Sequence, residues 1–412
     1  MRDLVVLIFM LGAAYYALKR PWTGVLSLAV LAYLNPHRYA WGFSRSFPLY
    51  LILFLATMVA IFFHNNEREP FPWTRETKLF VVLIAYFTMT TFVAPDFPAE
   101  AHEQWVKVMK IYLGIFPTLW LINSREKLRW LILVIALSFG LIGLKGGIFA
   151  LGTGFNYRVW GPDDTFYGGN NEIALAFNMV LPFLLLTAKE VNNKYAKIFF
   201  YSCFFFSICS IISSWSRGGL IALCAVLGLI TLLNRRKWLS IPLILIAVFF
   251  ARPNLPEQWF DRMNTIKTYE DDGSVQGRFD SWENALERAQ RDPLTGGGFA
   301  MFHDARDAHS AYFQILGEHG FVALGLWIML LFGTILSLEQ LQRKSLRYAE
   351  TAWMKDYART LQISLIGYAV GGMALGVAYW DIFYHLVAIS AVLKVMLEKT
   401  VRSTAALSVA GA

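Results

Sequence analysis

A polytopic, all-α integral membrane protein is the fold class this sequence predicts, and three observations carry the prediction. The 412-residue chain is 56% hydrophobic and only 16% charged, with a mean hydropathy of +0.46. A soluble domain carries about a quarter charged residues. Apolar stretches of roughly 15–24 residues recur from end to end, and about 20 such residues cross a bilayer as a helix. Alternating segments of about ten residues, the pattern of a membrane barrel, are missing.

Taken in order, the apolar stretches predict spans at 4–18, 21–34, 49–63, 79–94, 108–122, 128–150, 172–188, 197–213, 217–233, 238–251, 321–337, 361–378 and 381–397. The first two are short and separated only by Lys19, Arg20 and Pro21, so the reading is about twelve true spans. Leu4–Leu18 has no small-residue cleavage site after it and reads as a retained helix, not a signal peptide. The whole chain, 1–412, reads as one membrane domain. Cys203, Cys209 and Cys224 lie inside apolar runs without metal spacing and read as small core residues.

The net charge of +8 records topology. Compact loops at Lys19-Arg20, Arg68–Lys78, Arg125–Arg129, Lys189–Lys197, Arg235–Lys237, Arg343–Arg359 and Lys394–Arg402 hold 22 of the 37 basic residues. Alternate loops carrying the lysines and arginines belong on the cytoplasmic side. A nucleic-acid partner is therefore not expected.

With those loops inside, polar pieces fall on the outer face: 153–171, 213–216, a long stretch at 251–320, and a turn near Trp380-Asp381. A polar loop of about 70 residues in a helical bundle is usually functional. It contains a helical pattern over Arg278–Arg291, with Phe279, Trp282, Ala285, Leu286 and Ala289 on one face, ended by Asp292-Pro293 and Gly296-Gly297-Gly298. Glu270, Asp271 and Asp272 read as solvated loop.

Three residues stand out. Arg217 follows Ser213, Ser214 and Ser216 and precedes Gly218-Gly219, at a predicted helix start. A guanidinium beside a helix N-terminus seats an anion well; a snorkelling interfacial arginine is the alternative. Arg278 follows Gly277 and opens the predicted polar helix, where two guanidiniums in one compartment would hold a diphosphate without a metal. His309, in His309-Ser310-Ala311-Tyr312, is able to accept a proton near neutral pH and so to serve as a general base; a capping histidine is the alternative, and His303 and His319 compete for the role. Lys145, in Gly143-Leu144-Lys145-Gly146-Gly147, needs an anion or water if deep in a span. Arg158, Asn170 and Asn171 are further candidates for binding phosphate or sugar. No phosphate-binding loop, dinucleotide, Ser-His-Asp or metal motif is present, and no cofactor or metal is expected.

Ser216-Arg217-Gly218-Gly219, then an outer loop with Gly277-Arg278, then His309-Ser310 leading to Glu318 and Gly320, resembles the O-antigen ligase and polymerase superfamily. Asn170-Asn171-Glu172-Ile173-Ala174 with Pro182 is similar to the family's helix after its central outer loop. Asn35-Pro36-His37-Arg38 with Trp41-Gly42, and Arg158-Val159-Trp160-Gly161-Pro162, resemble the branch described as exosortase-associated O-glycosylation ligases.

The resemblance implies a GT-C-like bacterial inner-membrane fold of about twelve helices. It implies transfer of a glycan from undecaprenyl diphosphate to an acceptor at the periplasmic face, the acceptor being lipid A–core for the ligases. By matching motifs it implies that Arg217 and Arg278 bind the diphosphate and that His309 is essential, in a metal-independent inverting reaction. Polymerases and protein O-glycosylating ligases share the donor chemistry. A transporter of anionic or lipid-linked sugars is the reading from another class, opposed by the lack of an inverted repeat.

Overall fold

The computed structural model describes residues 1–93, 95–233, 253, 255–264, 273–304 and 307–410. Among these it is helical, with no strand. The first nine helices are α1 (Arg2–Lys19), α2 (Pro21–Tyr33), α3 (Leu49–Phe63), α4 (Arg75–Val93), α5 (Pro98–Leu121), α6 (Arg125–Gly152), α7 (Asn170–Glu190), α8 (Lys194–Ser213) and α9 (Arg217–Leu232). Then come α10 (Glu257–Asn264), α11 (Gly273–Arg291), α12 (Ala311–Ser345), α13 (Met354–Gly371) and α14 (Asp381–Ala410).

Five of these are long and apolar enough to cross a membrane: α4, α6, α7, α8 and α12; α2, α3 and α9 are shorter apolar helices. The chain is a helical membrane protein. The hydropathy reading matches the helices closely, α3 to the residue. The expected span at 238–251, the basic Arg235–Lys237 loop and the acidic Glu270–Asp272 run lie outside the described residues.

The helix ends follow local chemistry. Pro21 and Pro98 open α2 and α5, where the missing N–H is no loss. The Ser124 side chain caps α6 by accepting from Lys127 N at 3.3 Å, Asn193 caps α8 through Tyr195 N at 2.8 Å, and Ser216 caps α9 through Gly219 N at 3.0 Å.

Helix α7 is the axis of the second half: 83% of its span is buried, against 39% for α4, α8 and α12. It packs against α6, α8, α9 and α13. Asn178, fully buried within it, donates to Ala174 O and to Gly219 O, both at 2.9 Å, so the start of α9 is tied to the axis. Helices α6 and α8 meet through small residues. A Cβ on Gly147 would sit 2.2 Å from Phe206 O, and Ser210 Oγ donates to Gly143 O at 2.9 Å. Small residues let backbones approach where lipid supplies no hydrophobic drive. Cys203 and Cys209 are buried there as expected; Cys224 is exposed on α9, a correction to the expectation that all three are core.

Helix α12 is broken at Gly320, whose φ of 78° and ψ of −175° are open only to glycine. The turn after α11 docks into the break. Phe321 N donates to Pro293 O at 2.9 Å, and Gly297 N donates to Gly317 O at 2.9 Å. Arg288 on α11 holds Asp96 with two hydrogen bonds of 2.7 Å, which lock the polar helix to the α4–α5 connection.

Candidate functional site

The site is built where the starts of α9 and α12 meet the segment between α13 and α14. A Cβ on Gly218 would lie 3.4 Å from Ala374 Cβ, and one on Gly372 would lie 3.6 Å from Ala311 Cβ. A Cβ on Gly376 would lie 2.7 Å from Asp307 Oδ2. Residues 372–376 therefore touch, in turn, the helix that begins with Arg217 and the strand of backbone that carries Asp307 and His309.

Arg217 is the first residue of α9, half-buried, with Ser214 and Ser216 buried beside it. The polar break before it is held by the loop after α6. Val159 N donates to Ser213 O at 2.9 Å, Ser213 Oγ to Tyr157 O at 2.7 Å, and Asn170 Nδ2 to Ser214 O at 2.8 Å. Arg158 stacks over the Trp215 ring, 5.3 Å from its centroid, two residues from Arg217. Trp215 itself has φ of 57° and donates from its indole to Phe155 O at 3.1 Å.

His309 precedes α12 with φ of 46°, a left-handed conformation held by its neighbours. Trp282 Nε1 on α11 donates to Ala308 O at 2.8 Å, and the Trp282 ring stacks on Phe313 at 4.8 Å with planes 5° apart. Arg278 lies one helical turn before Trp282 and so shares its face, toward the His309 segment. Helix α11 begins at Gly273, so Arg278 sits in its second turn instead of opening it. Arg278 therefore lies away from the first turn and its free backbone N–H groups.

The histidine has a carboxylate at hand that the sequence alone did not single out: Asp307 Oδ2 is 3.8 Å from His309 Nδ1, both side chains partly open to solvent. Nothing in the sequence except the Asp-x-His spacing points to it. Next to Asp307 is a cavity of about 410 Å³ lined by Gln104, Glu172, Gln314, Gly376, Tyr379 and Trp380 among others. Its floor is rigid. Tyr379 OH donates to the Glu318 carboxylate, and Gln314 Oε1 accepts from Ala378 N at 3.3 Å. Behind them, His319 is fully buried, bonded through Nδ1 to Thr90 Oγ1 at 2.6 Å and stacked on Phe87 at 4.3 Å. That makes His319 a packing residue. His303 is exposed near Glu100 and Asp304.

Lys145 is exposed, with Nζ 5.4 Å from the Tyr39 ring centroid, on the side of the N-terminal helices. Asn171 is half-buried in the first turn of α7. Asp164, one of the acidic pair in the outer loop, accepts from Arg38 at 3.3 Å and Arg45 at 2.9 Å. Among the described residues no three His, Cys, Asp or Glu side chains gather as a metal set.

Residues 202–328 match the family model described as O-antigen ligase, which takes in Arg217, Arg278, Asp307 and His309. That match supports a place for the chain in the O-antigen ligase and polymerase superfamily. Its members are glycosyltransferase-like ligases and polymerases that handle lipid-linked glycans in the membrane. Residues 1–162, which carry Lys145 and Arg158, match a second model, a family of unknown function (DUF5935). No curated protein matches the chain.

Proposed function

We propose that this chain is an O-antigen ligase, moving a glycan from undecaprenyl diphosphate to lipid A–core at the periplasmic face of the bacterial inner membrane. The observation that carries the reading is that residues 372–376 touch both the start of α9 and the Asp307–Ala311 segment, to which the Arg278 helix is tied through Trp282, with Asp307 beside the histidine.

The acceptor hydroxyl oxygen forms a bond to the anomeric carbon of the donor's first sugar while the bond from that carbon to the diphosphate oxygen breaks. His309 takes the hydroxyl proton, and undecaprenyl diphosphate leaves with the electron pair. Attack from the face opposite the leaving group inverts the anomeric centre. Asp307 orients the imidazole and stabilises it once it is charged. Arg217 and Arg278 neutralise the negative charge that grows on the departing diphosphate, each worth about 3 kcal/mol of barrier when well placed. No step calls for a metal or another cofactor. Lys145, Arg158 and Asn171 are secondary candidates for contacting the glycan, Arg158 the best of them because its ring partner Trp215 adjoins Arg217.

The test is incubation of purified protein in nanodiscs with an undecaprenyl-diphosphate glycan and, separately, lipid A–core, a serine- and threonine-containing acceptor protein, and a second glycan-bearing donor. Mass spectrometry of a glycan–lipid A–core adduct supports the reading. An adduct with only the protein or only the second donor replaces the acceptor, and movement of intact donor with no diphosphate released rejects group transfer altogether.

A further inference from the structure

A cavity that the transfer reaction does not use lies between α2 and α5 of the N-terminal region and is closed by Asp164–Phe166 and the start of α14. It measures about 440 Å³, within the range of sites for drug-sized ligands. Its walls are apolar: Leu28 and Ala32 on α2, one turn apart, face Ile111 and Ile115 on α5, also one turn apart. Its mouth is cationic, with Arg38, Lys107 and Lys110.

The charges at that mouth are not evenly matched. Lys107 pairs with Glu103 at 2.8 Å. Asp164 is shared between Arg38 Nη1 and Arg45. Asp381, also on the cavity wall, accepts from Ile382 N at 2.7 Å. Arg38 Nε and His37 Nδ1 are buried with no hydrogen-bond partner. Lys110 is exposed and has no ion pair among the described residues. Burial, and then Arg38, hold His37 below the ordinary imidazole range, so it adds no cation at neutral pH. A buried donor left without an acceptor is costly, more so when the group is charged. A phosphate oxygen supplies what Arg38 Nε lacks, and an apolar wall directly beneath it suits the chain of a lipid.

We propose that this cavity is a lipid site for an acyl lipid with a phosphate headgroup. Its chain lies along α2 and α5, and its phosphate is held by Arg38 and Lys110. Thr165 and Phe166 line both this cavity and the one beside Asp307 and Glu172, so the lipid is held one loop away from the reaction site. Its use as the second substrate rests on the function proposed above; the lipid site itself does not.

The experiment measures binding, with no transfer step. Full-length protein in detergent is titrated with fluorescent phosphatidic acid and, in parallel, with fluorescent diacylglycerol. Phosphatidic acid binds at least tenfold more tightly to the wild type. Lys110→Gln and Arg38→Gln each weaken it about tenfold, and Arg217→Gln and Lys194→Gln leave it unchanged. Lys110→Gln breaks no ion pair and carries the test should Arg38→Gln, which loosens Asp164, aggregate on size exclusion. Equal binding of the two lipids, or full binding by Lys110→Gln, overturns the site. Loss of binding in Arg217→Gln merges it with the diphosphate site and overturns it as a separate one. Displacement by undecaprenyl phosphate at lower concentration than by any acyl lipid overturns the identity of the occupant.

Discussion

Replacing Asp307 with asparagine keeps the size and shape of the side chain and removes only its charge. If His309 takes a proton in the transition state, that charge stabilises the imidazolium across 3.8 Å. Coulomb's law puts the attraction at about 4 kcal/mol for an effective dielectric near 20 and about 1 kcal/mol for that of water. The side chains are 38% and 52% exposed, which pulls the figure toward the lower end. About 1–2 kcal/mol is expected, a loss of roughly 5–30-fold in rate at about 1.4 kcal/mol per tenfold. The assay is initial-rate glycan transfer in nanodiscs with saturating donor, beside a thermal-shift measurement on the same preparation. Asp307→Asn should unfold at the wild-type temperature. A rate within twofold of wild type refutes the coupling of carboxylate and imidazole. A rate as low as that of His309→Ala refutes it from the other side, since a partner charge cannot be worth as much as the base.

Other outcomes follow from the same geometry. His309→Ala, Arg217→Ala and Arg278→Ala should each insert normally yet lose transfer by about a hundredfold or more, read by surface-polymer staining after complementation. Gly376→Ala places a methyl group 2.7 Å from Asp307 Oδ2 and should lower the rate in the same direction as Asp307→Asn without lowering the melting temperature. Gly320→Ala forces a side chain into a backbone region open only to glycine, with its Cβ 2.5 Å from Pro293 O. It should destabilise the protein by about 2 kcal/mol or more, seen as a lowered thermal midpoint. Chelation with EDTA should leave the transfer rate unchanged; a rate restored only by added Mg²⁺ would contradict the metal-independent reading.

Much of the bundle is legible in the sequence because a membrane enforces it. Unsatisfied backbone in lipid is so costly that each long apolar run must be a helix, and polar capping residues such as Ser124, Asn193 and Ser216 mark where three of them start. Two helices begin ten residues before their apolar runs, α12 at Ala311 and, from a polar first stretch, α5. It begins at Pro98, ten residues before the apolar run, because Glu100, His102 and Lys107 tolerate a helix above the hydrophobic zone. The break at Gly320 could not be read, since glycine permits that conformation without requiring it. The expected opening of the polar helix at Arg278 is corrected by the structure, in which α11 starts at Gly273 and runs through Gly277, a residue poorly suited to a helix interior.

The candidate site is legible as a set of residue types and illegible as a place. Arg217, Arg278 and His309 are conspicuous as charges at the edges of apolar runs. Their neighbours Gly372, Ala374 and Gly376 are small and unremarkable in sequence, and matter only because they let the start of α9 and the Asp307–Ala311 segment close on them. Asp307 has the same history: its relation to His309 depends on the backbone turn at φ of 46°. The polar surroundings of Arg38 became visible only when Asp164, far along the chain, was seen to reach it.

The glycine break in α12 also decides how movement is shared. Helix α11, the turn at 293–298 and the first three turns of α12 are clamped to one another by the Trp282–Ala308 and Gly297–Gly317 hydrogen bonds, and they carry both Arg278 and His309. The remainder of α12 belongs to the lipid-embedded bundle, as does Arg217. Any tilting of that upper block about position 320 would therefore widen or narrow the gap between one arginine and the other pair of groups, while the spacing inside the pair stays constant. Arg278 and His309 are thus carried by one hydrogen-bonded unit and Arg217 by another, with Gly320 at the boundary between them.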